Sequence, residues 1–76
     1  MARVTPDSRH VLARQLVARA RQALRTERPA QADRLLRHAL YHLAVSAPPD
    51  PALAARIGSA RRALSPDRCA EIAQWL

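Results

Sequence analysis

A chain of 76 residues is long enough for one small domain but supplies little material for a hydrophobic core, because much of its 49% apolar content is alanine. All 13 basic residues are arginine, and with only 6 acids they give a net charge of +7, which attracts acidic proteins, nucleic acids or anionic membranes. A GC-rich genome would explain arginine in place of lysine, but not the excess of positive charge. No apolar run is long enough for a membrane span or a signal peptide, and the single cysteine, Cys69, excludes an internal disulfide. We therefore expect a cytoplasmic protein that is not inserted in a membrane.

Prolines divide the first half of the chain into two predicted helices. The first begins at Thr5-Pro6-Asp7, where a capping residue, a proline and an acid favour a helix start, and it runs to about residue 26. The second begins at Pro29 and runs to about residue 46. Each has an apolar stripe at helical spacing, formed by Leu12, Ala13, Leu16, Val17, Ala20, Ala23 and Leu24 in the first helix and by Ala32, Leu35, Leu36, Ala39, Leu40 and Leu43 in the second.

The second half predicts two more helices, over about residues 51–64 and 66–76, with Gly58 as the weak point of the first of them. They open at Asp50-Pro51 and at Ser65-Pro66-Asp67, again a capping residue followed by proline. Their inward-facing residues are Leu53, Ile57, Ala60 and Leu64 in the first, and Cys69, Ile72, Ala73 and Leu76 in the second.

These elements predict an all-α fold, a small compact bundle of three to four short antiparallel helices that forms a single domain over residues 1–76. Because the aliphatic core is small for the conformational entropy that it must offset, we expect a chain that is only marginally stable alone or that completes its core with a partner or a second copy as a homo-oligomer.

A stripe of arginines lies opposite the apolar face of the first helix. Arg14, Arg21, Arg25 and Arg28 fall within roughly 60° of one another at 100° per residue. The second helix adds Arg34 and Arg37 on its exposed side. The stripe is either a solvated face or an anion-binding face for phosphates or acidic side chains.

His38 and His42 lie four residues apart, so their rings can meet on one side of the second helix, as in half of a zinc site. The other candidate ligands stand at no diagnostic spacing: His10, Asp33, Cys69 and Glu71. We therefore expect no metal and no other cofactor, and two partly exposed histidines beside Tyr41.

Trp75 and Leu76 are large apolar residues at the C-terminal end, where they either close the core or anchor a partner. Cys69, at an inward position, is most simply a small core residue. The sequence contains no Gly-rich phosphate loop, no paired carboxylates at helical spacing and no nucleophile motif, so we expect no enzymatic activity.

Residues 53–65 resemble the helix-turn-helix core of repressor-like and arabinose-regulator-like DNA-binding domains. The match consists of Leu53-Ala54 on the first helix, Gly58 in the turn, and Arg61 and Arg62 on a recognition helix. The resemblance implies that these two arginines read bases in the major groove. Ser59 stands where the family has an apolar residue, and Pro66 shortens the recognition helix.

Residues 16–40 are similar to one tetratricopeptide unit, with Ala20 in the first helix and Ala32, Leu36 and Ala39 in the second. The bulky aromatic positions of that repeat are filled by Ala23 and Pro29, and no second unit follows in register. The similarity implies a helical hairpin.

Together, these features favour a small non-enzymatic interaction protein, such as a regulator, inhibitor, adaptor or accessory subunit. It would dock on an acidic protein partner through apolar helix surface, with arginines that steer the encounter. The alternative is a DNA-binding helix-turn-helix-like regulator, or a basic protein associated with RNA or the ribosome.

Overall fold

The computed structural model describes residues 8–46 and 49–76. Within these two stretches the chain forms four α-helices and no strand, which confirms the predicted all-α bundle. The helices are α1 (Ser8–Arg25), α2 (Pro29–Ala44), α3 (Pro51–Ala63) and α4 (Cys69–Trp75), and a 3-10 turn, Pro66–Arg68, leads into α4. The helix start predicted at Thr5-Pro6-Asp7 lies outside the described residues.

The helices α1 and α2 form a hairpin with the largest interface between any two described elements. Their connection is a Schellman-type motif, in which the backbone N–H of Arg28 donates to the carbonyl of Ala23 at 2.9 Å and that of Glu27 to the carbonyl of Leu24 at 3.1 Å. Glu27 takes the left-handed conformation, with a φ of 57°, that glycine adopts at the least cost. The chain's one glycine, Gly58, lies inside α3 instead.

The start of α3 has the predicted chemistry: the Asp50 carboxylate accepts a hydrogen bond from the backbone N–H of Leu53 at 3.1 Å, and Pro51 opens the first turn. The predicted start of the last α-helix, at Pro66, was wrong by three residues. Pro66–Arg68 forms a 3-10 turn, and the α-helix begins at Cys69. Ser65 makes no capping bond to the backbone there. Its hydroxyl donates to the Asp67 carboxylate at 2.8 Å.

One apolar cluster joins all four helices. Its large aliphatic side chains without solvent exposure come one from each helix: Leu24, Leu36, Ile57 and Ile72. The helices pack closely because many of the contact positions are small. The fully buried alanines are Ala13, Ala20, Ala32, Ala39 and Ala60. The packing partners are α1 with α2, α2 with α3, and α1 with α4, so the second half of the chain covers both helices of the hairpin.

Some predicted core residues lie at the edge of this cluster. Leu12, predicted on the apolar face of α1, is 39% exposed. At 100° per residue it lies roughly 90° from the middle of the buried sector of α1, so α2 and α4 do not enclose it. Three further predicted core leucines are half-buried against the cluster: Leu35, Leu40 and Leu64.

Candidate protein-binding surface

Positive charge is concentrated in the hairpin. Residues 8–46 contain eight arginines and two acids, whereas residues 49–76 contain four arginines and three acids. The formal charges of the two halves are therefore +6 and +1. The positive electrostatic potential around the chain therefore comes chiefly from the hairpin.

Each arginine–carboxylate ion pair among the described residues includes at least one residue of the second half of the chain, residues 49–76. Within the described residues, arginine–carboxylate pairs join Arg14 to Asp50 at 3.2 Å, Arg61 to Asp33 at 3.0 Å and Arg68 to Glu71 at 2.8 Å. The first two tie α3 and its start to the hairpin. Arg14, predicted as part of the arginine stripe, therefore holds an interhelical contact, and Arg61 faces a carboxylate of its own chain.

Asp50 is the junction between the two halves of the chain, because its side chain contacts both α1 and the first turn of α3. One carboxylate oxygen accepts from Leu53, and the other lies 3.2 Å from both Arg14 Nη2 and His10 Nε2. The backbone hydrogen bond from Leu53, followed by the His10 and Arg14 contacts, lowers the pKa of Asp50 below its ordinary value. His10 Nε2 also lies 3.3 Å from Arg14 Nε, so it accepts from Arg14 when unprotonated and donates to Asp50 when protonated.

Eight of the other arginines form no ion pair with a described residue, and six of the eight belong to the hairpin. They are Arg19, Arg21, Arg25, Arg28, Arg34 and Arg37, with Arg56 and Arg62 in α3. Arg21 is half-buried and the remaining seven are exposed. The predicted set of Arg21, Arg25, Arg28, Arg34 and Arg37 thus keeps its charge available for a partner.

An apolar groove of about 480 Å³ lies between the end of α2 and the start of α3, and we call it the α2–α3 groove. Apart from Asp50, the residues that line it are apolar: Leu40, Leu43, Ala44, Pro49, Pro51 and Ala54. Nearby on α2 and at its end, Tyr41 and Val45 are 64% and 41% exposed. Tyr41, Val45 and the groove lining therefore contribute exposed apolar surface at this end of the hairpin.

A second, more polar groove of about 360 Å³ follows the hairpin near its turn. Its lining comes only from α1, α2 and their connection: Arg19, Gln22, Ala23, Thr26, Arg28, Gln31 and Leu35. The Thr26 hydroxyl is engaged, because it lies within hydrogen-bonding distance of the carbonyls of Gln22 and Ala23. Arg19 and Arg28 are both exposed.

The two histidines considered as metal ligands lie apart from other ligands. His38 is exposed, whereas His42 is half-buried with its ring edge-on to Tyr41 at a centroid distance of 5.4 Å. His42 Nδ1 is buried without a hydrogen-bond partner. In the described part of the chain no three histidine, cysteine or acidic side chains come together as a metal site would require.

The two C-terminal residues, Trp75 and Leu76, differ in their exposure to solvent. Leu76 is 4% exposed and closes the core, while Trp75 is 38% exposed. Cys69 is buried in the same cluster, and its thiol lies 3.5 Å from the carbonyl of Ser65. Trp75 is therefore the member of the pair that a partner can reach.

The helix α3 is continuous from Pro51 to Ala63 and passes through Gly58, where the helix-turn-helix resemblance places a turn. Arg61 and Arg62 therefore lie in the last turn of the helix that carries Leu53 and Ala54. They are not on a separate recognition helix.

Sequence reasoning missed the α2–α3 groove. Leu40 was assigned to the core, and Ala44 and Ala54 were not assigned to any site. Their proximity depends on how α2 and α3 pack, which local spacing does not specify. Pro49 and Pro51, which flank Asp50, were the only sequence signal, and they mark the break between the helices equally well.

None of the helices in residues 8–46 and 49–76 combines the length and hydrophobicity that crossing a membrane requires. Comparisons with protein-family models, characterised proteins and solved structures find no significant match to this chain.

Proposed function

We propose that this chain is a small non-enzymatic interaction protein, a regulator, inhibitor, adaptor or accessory subunit, that docks on an acidic protein partner. The observation that carries this proposal is the segregation of charge. The hairpin has a formal charge of +6 and six arginines without an ion pair to described residues, whereas the acids Asp50, Asp33 and Glu71 are already paired. Such a surface accelerates encounter with a partner of opposite charge.

Exposed apolar surface supports a protein partner over a nucleic acid. Nucleic-acid interfaces are dominated by contacts to phosphate, which call for positive charge but not for an apolar groove. Protein interfaces combine an apolar centre with a charged or polar rim. In this chain the α2–α3 groove and Trp75 would supply the apolar centre, and the hairpin arginines would supply the charged rim.

The test is affinity purification of the tagged full chain from its native cytoplasm, with and without nuclease. We expect one acidic protein to co-purify at the same yield in both preparations. Recovery that nuclease abolishes would contradict the proposal and favour the nucleic-acid alternative.

A gel-shift assay on genomic fragments separates that alternative further. If the chain is a DNA-binding regulator, Arg61→Ala and Arg62→Ala should each remove a base contact and about 1–3 kcal/mol of discrimination. We expect instead that binding to DNA is weak, is removed by competitor DNA and is insensitive to these two substitutions.

A further inference from the structure

One hydrogen bond and one shared groove indicate the register of α2 against α3. Arg61 Nε donates to Asp33 Oδ1 at 3.0 Å, and Leu40 and Ala54, each seven residues further along the seam, line the same groove. Because the two helices run antiparallel, this register places Arg37 of α2 level with Ile57 of α3, one residue from Gly58 along the seam. Arg37 also shares a helix face with Leu40 and Ala44, three and seven residues later.

Gly58 is covered by an arginine and not by an apolar side chain. A β-carbon at this position would lie 3.5 Å from Arg62 Nη1, so the guanidinium of Arg62 lies over the glycine. Arg62 also donates to Ser59 Oγ at 3.3 Å. Like Arg37, it forms no ion pair with a described residue.

The outer seam between α2 and α3 is therefore a composite surface. At one end is an apolar groove of about 480 Å³, and further along are two guanidinium groups without carboxylate partners. A helix that carries aliphatic side chains on one face and carboxylates beside them complements both parts, because apolar anchors fill grooves and arginine binds carboxylate in two-point contacts.

We propose that the α2–α3 groove, together with Arg37 and Arg62, binds an acidic amphipathic helix of the protein partner. This inference rests on the proposed function and assigns its docking site. Aliphatic side chains of the partner would occupy the space lined by Leu40, Ala44 and Ala54, and its carboxylates would pair with the two arginines.

Charge argues against a second copy of this chain as the occupant. Two such surfaces face to face would bring unpaired arginines together in chains that each carry +7. The same arginines attract the carboxylates of an acidic helix.

The test uses the isotopically labelled full chain and a synthetic helical peptide of leucine and glutamate, with leucines three and four residues apart. Two matched peptides contain the same residues in scrambled order, or lysine in place of glutamate. We expect amide shift changes centred on Leu40, Ala44, Ala54 and Gly58 for the first peptide, and much weaker binding of the other two.

Charge variants locate the contact. Arg37→Gln should weaken binding of the acidic peptide by about tenfold, because it removes a charge-assisted contact. Arg34→Gln, on the same helix but away from the seam, should weaken it by less than about twofold. Both side chains are exposed, so both variants keep the fold.

A blocking pair tests the groove itself. Ala44→Glu places a carboxylate at the groove and should abolish peptide binding, whereas Ala55→Glu makes the same change of charge at an exposed position of α3 outside the groove lining. Thermal melting of each variant confirms that it is folded.

Three results would overturn the inference. Shift changes centred on Arg21 and Arg25 would move the docking site to α1 while leaving the proposed acidic partner intact. Equal binding of the scrambled peptide would show that no helix is recognised. Groove amides that shift with protein concentration alone would identify a second copy as the occupant.

Discussion

The hairpin formed by α1 and α2 differs in charge and in ion pairing from the second half of the chain, which contains α3 and α4. The hairpin carries a formal charge of +6 and has the largest helix interface, and six of its arginines form no ion pair with a described residue. The second half is nearly neutral, and Asp50, Arg61 and Arg68 all form ion pairs. The difference indicates that the second half completes the core and forms one side of the α2–α3 groove, while the hairpin presents most of the positive charge.

The largest expected effect tests whether the second half is part of the core. Ile57→Ala removes a side chain with no solvent exposure and should lower the free energy of unfolding by about 2–5 kcal/mol, as much as Leu24→Ala in the hairpin. Arg56→Ala, an exposed neighbour, should stay within about 0.5 kcal/mol of the unchanged chain. Denaturant titration measures all three. A small loss for Ile57→Ala alone would show that the hairpin is stable without the second half.

The next effect concerns the junction. Because the folded state lowers the pKa of Asp50, the carboxylate stabilises the fold above its unfolded pKa of about 3.9, and this stabilisation is lost as pH falls through the folded value. Asp67 and Glu71, whose pKa values are also lowered, act in the same direction. Asp50→Asn, which can still cap α3, should lower the melting temperature at neutral pH and reduce its fall between pH 5 and pH 2. An unchanged acid-side profile would exclude Asp50 as a stabilising junction.

A third effect lies in the turn of the hairpin. Glu27→Gly should raise the free energy of unfolding by about 1 kcal/mol, because glycine adopts a positive φ without the steric cost that other residues incur. Glu27→Gln keeps that cost and serves as the control. If both variants are less stable than the unchanged chain, the side chain of Glu27 makes a favourable interaction that outweighs the strain.

The smallest effect lies in α3. Gly58→Ala should stabilise the chain by about 0.5–1 kcal/mol, because alanine favours the helix and the added methyl would meet Arg62 Nη1 at an ordinary contact distance of 3.5 Å. Chemical denaturation of this variant together with Glu27→Gly should give additive gains, since the two sites lie in separate elements. A destabilised Gly58→Ala would show that Arg62 cannot give way.

Local signals predicted the helices well. Proline after a break marks the first residue of α2 and α3, and the capping acid Asp50 makes the bond that its position indicates. Apolar spacing identified Leu24, Leu36, Ile57 and Ile72, because each helix buries one stripe.

The spacing of residues along the chain could not predict how the helices pack against one another. The exposure of Leu12, the pairing of Arg14 with Asp50 and the α2–α3 groove all depend on which helix faces which. The left-handed Glu27 carried no sequence signal, since such positions usually contain glycine or asparagine. The last turn before α4 was predicted as α-helix because Pro66 suits the first turn of either helix type.

The central claim, that the hairpin steers an acidic protein partner, is tested most directly by the association rate of the co-purified partner as a function of salt concentration. Arg25→Glu in the hairpin and Arg56→Glu in α3 make the same change of charge at exposed arginines without ion-pair partners among the described residues. We predict that Arg25→Glu slows association by about threefold at low salt and flattens its salt dependence, whereas Arg56→Glu changes both much less. Equal effects of the two substitutions, or none from either, would contradict the account.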